Sequence, residues 1–223
     1  MLELCIETSR SPQRVLGDIV TQVAEGDRIC LLGPSGIGKT TLLNAIVGLE
    51  TQFPAAAVKK SADLRVGYLF QEHRLLPWRT LRQNLMLVGV RSRDVEPLLA
   101  QVGLAGCAEH LPDQLSLGMA RRAALARCLA IEPDLLLLDE PFASLDPPRA
   151  QALRRLLGKL LEARPCMAMI CVTHDVRDAG ELANRIWYLD GQPARLQWDE
   201  RLASDSDVAC MSRRLRNLSE DEA

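Results

Sequence analysis

The stretch of the chain that most constrains its fold is 28–43, with the sequence RICLLGPSGIGKTTLL. It begins with an apolar run at 29–32 that is long enough for a buried strand, and apolar residues recur at helical spacing after position 41. Between them, residues 33–40 match the pattern G-x-x-x-x-G-K-S/T. Strand, glycine loop and helix in this order are typical of a phosphate-binding loop, because the loop and the helix N-terminus turn backbone N–H groups toward an anion.

Individual residues of this loop have separate predicted roles. Its three glycines let the backbone turn and approach a phosphate where a Cβ atom would clash. Lys39 would reach the β- and γ-phosphates of a nucleotide, and the Thr40 hydroxyl would bind Mg²⁺. The alternative is a glycine-rich turn beside a surface lysine. We expect nucleotide binding by the following residues: Gly33, Pro34, Ser35, Gly36, Ile37, Gly38, Lys39, Thr40 and Thr41.

Composition narrows the class of protein. The chain has 223 residues, 48% of them apolar and 25% charged, as expected of one globular domain with a sizeable core. A net charge of −2 and an aromatic share of 4% argue against a nucleic-acid surface. No apolar run is long enough to span a membrane, and the first residues do not resemble a secretory signal. The seven cysteines are scattered without a C-x-x-C pair, which argues against zinc and indicates a reducing compartment, so we expect a cytoplasmic protein.

The remaining pattern predicts an α/β chain interrupted by a helical insertion. Strands are expected at 2–6 (a half-buried edge strand), 15–23, 64–70, 135–138, 166–172 and 185–189, and helices at 149–163 and from 176. Between 72 and 130 the pattern is helical, with Thr80 and Ser116 as N-caps. The segment 50–63 is expected to be a connector with little regular structure, and the residues from 196 onward a polar tail.

Two surface segments have two interpretations each. Leu75, Leu76 and Trp78 make the loop after Gln71 conspicuously apolar, which fits either a loop tucked into the core or an exposed patch that docks a partner. The basic run at 213–216 is either a binding patch or the solvated face of a helix.

Three candidate catalytic residues lie at predicted strand ends. Asp139 and Glu140 directly follow a run of four leucines, at the edge where ligands collect in open α/β sheets. Asp139 would hold Mg²⁺ through water, and Glu140 would act as the base or orienting group for an attacking water. The alternative is a helix N-cap carboxylate beside a surface acid. His174 follows the strand 166–172, and this position favours contact with the γ-phosphate or the water over a purely structural role.

These motifs occur in a fixed order: GPSGIGKT, Gln71, LSLGM at 115–119, LLLLDEP, SLD and THD. In this order they resemble the nucleotide-binding subunit of an ABC transporter, over residues 1 to about 195. The resemblance implies a P-loop NTPase core with a mostly parallel sheet, a small N-terminal antiparallel β part and an inserted helical subdomain. Within one ABC ATPase domain, the implied divisions are a core at 1–71 and 131–195, the helical subdomain at 72–130 and a C-terminal tail at 196–223.

The resemblance also assigns roles to the motif residues. It implies that Gln71 is the Q-loop glutamine, which binds Mg²⁺ and assists catalysis. Asp139 would be the Walker B aspartate and Glu140 the catalytic glutamate. Asp146 would be the D-loop residue and His174 the switch histidine. Members of the family work as head-to-tail dimers that sandwich two ATP molecules. Ser116 and Gly118 of the signature motif would therefore bind the γ-phosphate of ATP held by a second subunit.

Three features depart from the family pattern. Leu117 and Met119 stand where the usual signature, LSGGQ, has glycine and glutamine. A leucine at that position costs energy if the backbone needs a positive φ or close contact with phosphate, so we expect weakened ATP-driven closure and not an inactive protein. No aromatic residue precedes the strand 15–23 to stack on adenine, and Arg10 could stack there instead. The segment 48–66 is short, which would trim the antiparallel β part to fewer strands.

The run LFQEHRLLPWRTLRQN and the methionine that ends the signature are similar to importers of nitrate, sulfonates, taurine and thiamine precursors. The resemblance thus implies ATP and Mg²⁺, a homodimer or paired ATPase subunit, transmembrane permease subunits, a solute-binding protein and no nucleic acid. The chain would be peripheral on the inner face of the cell membrane. Two alternatives are a partly degenerate or regulatory subunit with weak hydrolysis, suggested by Leu117, and a soluble ABC ATPase that is not coupled to transport. The transported solute is not encoded in this chain.

Overall fold

A computed structural model describes the backbone of residues 2–6 and all of 15–50 and 58–202. The chain divides into two compact units. Unit 1 combines the residues up to Lys60 with those from Ile170 onward, and unit 2 consists of Ser61–Met169. Strand β7 (Ala168–Val172) crosses from unit 2 into unit 1.

Unit 1 contains a small antiparallel sheet of three strands, β1 (Leu2–Ile6), β2 (Ile19–Val23) and β4 (Val58–Lys60). Strand β1 lies in the middle and pairs with both neighbours, so the prediction of an edge strand at 2–6 is wrong. β4 lies inside the segment 50–63 that we expected to be irregular, and for these three residues that expectation is wrong too. A strand of this length depends on its long-range pairing with β1, which local composition does not reveal.

A second sheet of unit 1 is built around β8 (Arg185–Asp190), which is parallel to β3 (Arg28–Leu32) and antiparallel to β9 (Arg195–Arg201). β9 corrects the prediction that a polar tail begins at 196. Its two apolar residues alternate with polar and charged ones, and Trp198 stacks on Tyr188 with ring centroids 4.4 Å apart. A strand that buries only one face in this way has an overall polar composition.

The strand β7 lies on the other side of β3, where the Thr173 N–H donates to the Leu31 carbonyl over 3.3 Å. Each of these two strands leads into a helix of unit 1: β3 into α1 (Lys39–Val47) and β7 into α6 (Val176–Leu182). The loops that follow β3 and β7 therefore emerge at the same edge of the sheet, because parallel strands share their carboxyl ends.

Unit 2 contains the parallel strands β5 (Val66–Leu69) and β6 (Leu135–Asp139). Every residue of β6 is buried, as the run of four leucines requires. Between the two strands the chain is helical, as predicted, and one further helix follows β6. The helices are α2 (Leu81–Met86), α3 (Val95–Gln101), α4 (Leu117–Leu129) and α5 (Pro147–Glu162).

The predicted helix starts in unit 2 are confirmed. Thr80 caps α2 in a complete capping box with Gln83, and Ser116 caps α4. The Asp146 carboxylate likewise accepts the Arg149 N–H over 2.9 Å at the start of α5. Each cap satisfies a backbone donor that the helix itself leaves without a partner.

The apolar loop after Gln71 is divided between the two interpretations offered for it. Leu75 is buried, with 5% of its surface exposed, whereas Trp78 is 71% exposed. The loop is thus anchored in the core of unit 2 by Leu75 and presents Trp78 on the surface of that unit.

The cysteines described by the structure are free thiols, and Cys30, Cys128 and Cys171 are buried. Burial raises the pKa of the Cys128 thiol to about 12, against a smaller opposite effect of Arg127, so this thiol stays protonated. Two further cysteines, at 5 and 210, lie outside the residues whose side chains are described. Across 15–50 and 58–202, no helix combines the length and apolar character needed to cross a bilayer.

A buried ion cluster joins strands of unit 1 around Asp27, whose side chain is 2% exposed. Its carboxylate lies 2.7 Å from Nη1 of Arg185 and 3.0 Å from Nη2 of Arg201, and it also accepts the Ala24 N–H over 3.0 Å. Arg185 in turn contacts Asp199 on β9 at 2.6 Å. The cluster therefore compensates each buried charge and ties β8 and β9 to the turn before β3.

Removing the Asp27 carboxylate should destabilise the protein far more than removing a surface carboxylate. We expect Asp27→Ala to lower the free energy of unfolding by about 3 kcal/mol, at the lower end for a broken buried pair because Arg185 keeps Asp199. Asp94, which pairs with Arg91 and Arg93 on the surface of unit 2, is the control, and Asp94→Ala should cost less than about 1 kcal/mol. Urea denaturation of both variants measures the difference, and equal losses would contradict it.

Candidate functional site

The predicted phosphate-binding loop follows β3 in unit 1 and depends on glycine at three positions. Gly33, Gly36 and Gly38 have φ angles of 150°, 76° and 109°. A Cβ atom on Gly33 would lie 2.3 Å from the Leu189 carbonyl oxygen, and one on Gly38 would lie 2.6 Å from Cγ1 of Val15. The loop therefore lies directly against β8 and the segment before β2, where only glycine fits.

Lys39 is the first residue of α1 and is only 5% exposed. Its ammonium donates to two carbonyls of the loop, Gly33 O at 2.9 Å and Pro34 O at 2.7 Å. A buried ammonium with such partners is satisfied without an anion and can exchange them for phosphate oxygens. Thr40 is exposed on the next position of the helix, and Thr41 is half-buried.

His174 lies two residues after β7 and is exposed at the carboxyl edge where the glycine loop follows β3. Its two neighbours are fixed by hydrogen bonds. The Thr173 hydroxyl donates to the buried Asp178 carboxylate and accepts the Asp175 N–H over 3.1 Å, while Asp175 caps α6. The backbone on both sides of the histidine is therefore held in place.

Unit 2 brings together two of the predicted catalytic residues. Because β5 and β6 are parallel and in register from Val66 and Leu135, Gln71 and Glu140 emerge at the same edge. The Gln71 amide Nε2 donates to the Glu140 carboxylate over 3.3 Å. Asp139, the last residue of β6, is only 3% exposed. The glutamate is half-buried, so it remains accessible to water.

Glu140 has an unusual backbone conformation, with φ at +48°. A residue with a Cβ atom in the left-handed region is strained by about 1–2 kcal/mol, and such residues concentrate at functional sites. Ser144, four residues later, also has a positive φ of 60°. The segment after Asp139 therefore turns sharply, and the turn directs the Glu140 side chain away from the course of the strand.

Tyr68 on β5 is a neighbour of Asp139 that the sequence did not indicate. Burial and the negative charge of Asp139 raise the pKa of the Tyr68 phenol. The phenol therefore stays protonated and can donate a hydrogen bond to the carboxylate beside it.

The signature residues lie at the start of α4. Ser116 is exposed, and its hydroxyl accepts the Met119 N–H over 3.3 Å. Leu117 is 46% exposed and is the first helical residue, so it is not among the residues with positive φ. Backbone strain is therefore no reason to expect that Leu117 weakens ATP-driven closure of the dimer. The other reason, close contact of the leucine side chain with a phosphate, applies only when a nucleotide is bound.

Arg121 of α4 is the functional candidate that sequence reasoning missed. Its guanidinium is buried, with the residue 5% exposed, and donates to three backbone carbonyls: Pro141 O at 2.8 Å, Ala143 O and Gln71 O at 3.3 Å. Burial lowers the pKa of this guanidinium, and the charge of Glu140 partly offsets the effect. In the sequence Arg121 stands beside Arg122 in an alanine-rich helix, and nothing in that pattern separates the two.

Comparison with known proteins decides the family. Residues 16–143 match the family model described as ABC transporter. The chain belongs to the ABC transporter family. This confirms the resemblance inferred from the ordered motifs and, with it, ATP binding by the cassette. The proposed adenine contact of this ABC protein, Arg10, lies outside the described residues.

Its relatives include import subunits with related names. The aliphatic sulfonates import ATP-binding protein SsuB 2 of Burkholderia cenocepacia is 46% identical over 191 residues, which cover 82% of this chain and 70% of the relative. SsuB 1 of Pseudomonas aeruginosa is 41% identical over 199 residues, covering 82% of this chain and 79% of the relative.

Solved structures of ABC cassettes confirm the predicted fold class, a P-loop NTPase core with a mostly parallel sheet. A dimeric structure of the ATP-binding cassette MJ0796, in a post-hydrolysis state bound to ADP and Pi, superposes with a TM-score of 0.73 at 27% identity. The match covers 92% of this chain and all of that one. A second dimeric structure of the same bacterial cassette gives a TM-score of 0.74 at 28% identity.

The glycine positions of the loop should differ in their tolerance of a methyl group. Gly33→Ala should destabilise the protein by more than the roughly 1–2 kcal/mol of left-handed strain, because its Cβ would also clash with the Leu189 carbonyl. Gly36→Ala is the matched control, since its φ is positive but no atom lies within 4 Å of the added carbon. Thermal unfolding should therefore show a larger drop in Tm for Gly33→Ala. Equal drops would mean that strain alone accounts for both.

Proposed function

We propose that this ABC protein is the ATP-binding subunit of a solute importer, dimerises on ATP and hydrolyses it to drive import through a membrane permease. The observation that carries the hydrolytic part of the proposal is the pairing of Gln71 with Glu140 at the end of a buried strand that terminates in Asp139. A carboxylate and an amide held in this way can orient and deprotonate a water. The phosphate-binding loop with its buried lysine supplies the complementary half of the chemistry.

In this proposal the loop of unit 1 binds the phosphates of ATP. Its backbone N–H groups and the N-terminus of α1 attract the negative charge, and Lys39 exchanges its carbonyl partners for β- and γ-phosphate oxygens. The proposed binding set is the one predicted from the sequence, 33–41, with Ser116 and Gly118 acting on the nucleotide of a second subunit.

Mg²⁺ fits the donors that the chain offers. In nucleotide sites Mg²⁺ keeps several waters and is bound by one or two carboxylates together with substrate phosphates. Among 15–50 and 58–202, no group of three or more His, Cys, Asp or Glu side chains could enclose a metal ion. The proposed protein ligands are Thr40, Gln71 and Asp139, all with hard oxygen donors. When bound, the ion would neutralise charge on the phosphates. The neutral phenol of Tyr68 beside Asp139 leaves that carboxylate its negative charge for the ion.

Hydrolysis itself would depend on three side chains. Glu140 would accept a proton from the attacking water or orient it, and Gln71 would hold Glu140 in place through the observed hydrogen bond. His174 would contact the γ-phosphate or the same water as a hydrogen-bond donor. Its position between two fixed residues, Thr173 and Asp175, suits this task, because a donor must be held in place to act on a transferring phosphate.

Dimer formation would complete the site. The printed descriptions of the MJ0796 structures are of dimeric cassettes, one of them with ADP and Pi. For the present chain we propose a head-to-tail homodimer, or a pair with a related ATPase subunit. Each signature Ser116 would then approach the γ-phosphate bound by the other subunit. The exposed hydroxyl at the N-terminus of a helix is suited to this contact.

The partners proposed for the whole system are transmembrane permease subunits and a solute-binding protein. The subunit would lie in the cytoplasm on the inner face of the cell membrane, and the helical subdomain at 72–130 would transmit its motion to the permease. Since the relatives are named for import of aliphatic sulfonates, these are the first solute class to test. Co-purification of a permease with the tagged chain, followed by sulfonate uptake into vesicles, tests this part of the proposal.

Replacing Glu140 should separate binding from hydrolysis. We expect Glu140→Gln to lower kcat by about 10²–10⁴-fold, since a general base is lost, while ATP still binds. The measurement is Mg²⁺-dependent phosphate release together with ATP binding by fluorescence titration.

Glu132 provides the matched control, because it is a second glutamate of unit 2 with a positive φ of 48°, exposed and paired with Arg65. Glu132→Gln should leave kcat unchanged. If Glu140→Gln hydrolyses ATP like the wild type, Glu140 is not the catalytic glutamate. If the wild type itself has no ATPase activity under these conditions, the regulatory alternative gains support.

Leu117 is expected to weaken the ATP-bound dimer through contact with the nucleotide, now that backbone strain does not apply. In a Glu140→Gln background, which keeps ATP intact, Leu117→Gly should strengthen ATP-dependent dimerisation by about tenfold, the effect of removing one overpacked contact. Leu117→Ala should be intermediate. Analytical ultracentrifugation at several ATP concentrations measures this. A dimer no tighter than that of the parent would show that Leu117 does not oppose closure.

A further inference from the structure

We propose that Arg121 is a positioning residue for ATP hydrolysis: its guanidinium fixes the backbone of Gln71 and of the segment after Glu140 to helix α4. The inference rests on the proposed function and adds a residue that acts through Gln71 and Glu140. Three backbone carbonyls carry it, on two loops that both leave parallel strands at the same edge of unit 2.

A buried guanidinium is an expensive way to join loops. Arginine cannot lose its proton in a protein, so burial of Arg121 removes a full charge from water. All three acceptors of Arg121 given by the structure are neutral carbonyls, which compensate the charge less well than a carboxylate would, and the charge of Glu140 offsets the effect of burial only in part. An apolar residue would serve the core of unit 2 at lower cost. The retained charge therefore indicates a requirement for the planar fork, whose donors reach several fixed acceptors at once.

The contacts of Arg121 form a closed ring with the catalytic pair. Arg121 holds the Gln71 carbonyl, the Gln71 side chain holds the Glu140 carboxylate, and Arg121 holds the carbonyls of Pro141 and Ala143 just beyond Glu140. Any rotation of the Glu140 backbone would have to break a member of this ring. A residue with a Cβ atom keeps a left-handed conformation only when surrounding contacts stabilise it, and the ring supplies such contacts for Glu140.

The signature serine is also the N-cap of the helix that carries Arg121. Ser116 and Arg121 are five positions apart in one rigid element, so a displacement of α4 moves both. Contact of Ser116 with a nucleotide phosphate would thus be transmitted to the positions of Gln71 and Glu140. This makes Arg121 the mechanical link, within unit 2, between the signature motif and the water-activating carboxylate.

The first test replaces the fork while the full chain remains folded. Arg121→Gln and Arg121→Lys should each lower kcat for ATP by about 10–100-fold with KM changed less than about threefold, because misplaced catalytic groups slow the chemical step without weakening binding. Lysine keeps the charge but not the fork. A wild-type kcat for Arg121→Lys would therefore overturn positioning by the guanidinium.

Arg82 supplies the matched control. It is another arginine of unit 2 whose guanidinium donates to two segments, through the Glu109 carboxylate and the Ser92 carbonyl, and neither lies in the signature motif or on the loops that hold Gln71 or Glu140. Arg82→Gln should lower Tm while its kcat stays within about threefold of the wild type. Equal losses of kcat in the two variants would reduce Arg121 to a structural residue and overturn the proposal.

A double-mutant cycle with Gln71→Ala tests the route of the effect. Since Gln71→Ala removes the side chain that contacts Glu140 but keeps the carbonyl bound by Arg121, the losses in kcat from Gln71→Ala and Arg121→Lys should combine to less than their product. Fully multiplicative losses would show that Arg121 does not act through Gln71. A wild type without ATPase activity would count against the proposed function instead, and ATP-dependent dimerisation of Glu140→Gln distinguishes the two failures.

Discussion

The burial of parallel strands on both faces determines where this protein can place polar chemistry. The strands β6 and β7 are fully buried along their length, so reactive side chains are excluded until the strand ends. Within each unit, neighbouring parallel strands end at one edge. In unit 2 this edge gathers Gln71, Asp139 and Glu140, and in unit 1 it gathers the glycine loop and His174. The constraint that forms the core therefore also collects the functional residues.

Backbone geometry then decides how those residues are presented. The loop after β3 reaches its conformation at low cost because glycine occupies its positive-φ positions. The turn after β6 has no glycine, and Glu140 adopts a positive φ with a full side chain. Such strain needs external support, and the contacts of the neighbouring carbonyls with Arg121 provide it. The phosphate-binding loop after β3 is thus unstrained, whereas the turn after β6, which orients the Glu140 carboxylate, is strained and is stabilised by Arg121.

Local patterns of sequence predicted much of this arrangement. The glycine loop, the leucine run and the N-caps at Thr80 and Ser116 are short-range signals, and the structure confirms the elements they define. The signals failed where long-range pairing decides the outcome. β4 forms because β1 is available beside it, and β9 forms because β8 offers Tyr188 to Trp198. The role of Arg121 was not predicted for the same reason, since its acceptors lie 20, 22 and 50 residues away in sequence.

The signature motif shows how one departure from a family pattern can be separated into physical parts. Leu117 is the first residue of a helix, and leucine has a higher helix propensity than glycine, by at most about 1 kcal/mol in a helix interior, so the substitution itself supports α4. A firmer α4 would transmit movement of Ser116 to Arg121 with less loss. Any weakening of the dimer by Leu117 would therefore come from its exposed side chain, at the surface that would meet a second subunit. Leu117 would therefore stabilise helix α4 but weaken the ATP-bound dimer. Glycine at this position would strengthen the dimer and destabilise the helix.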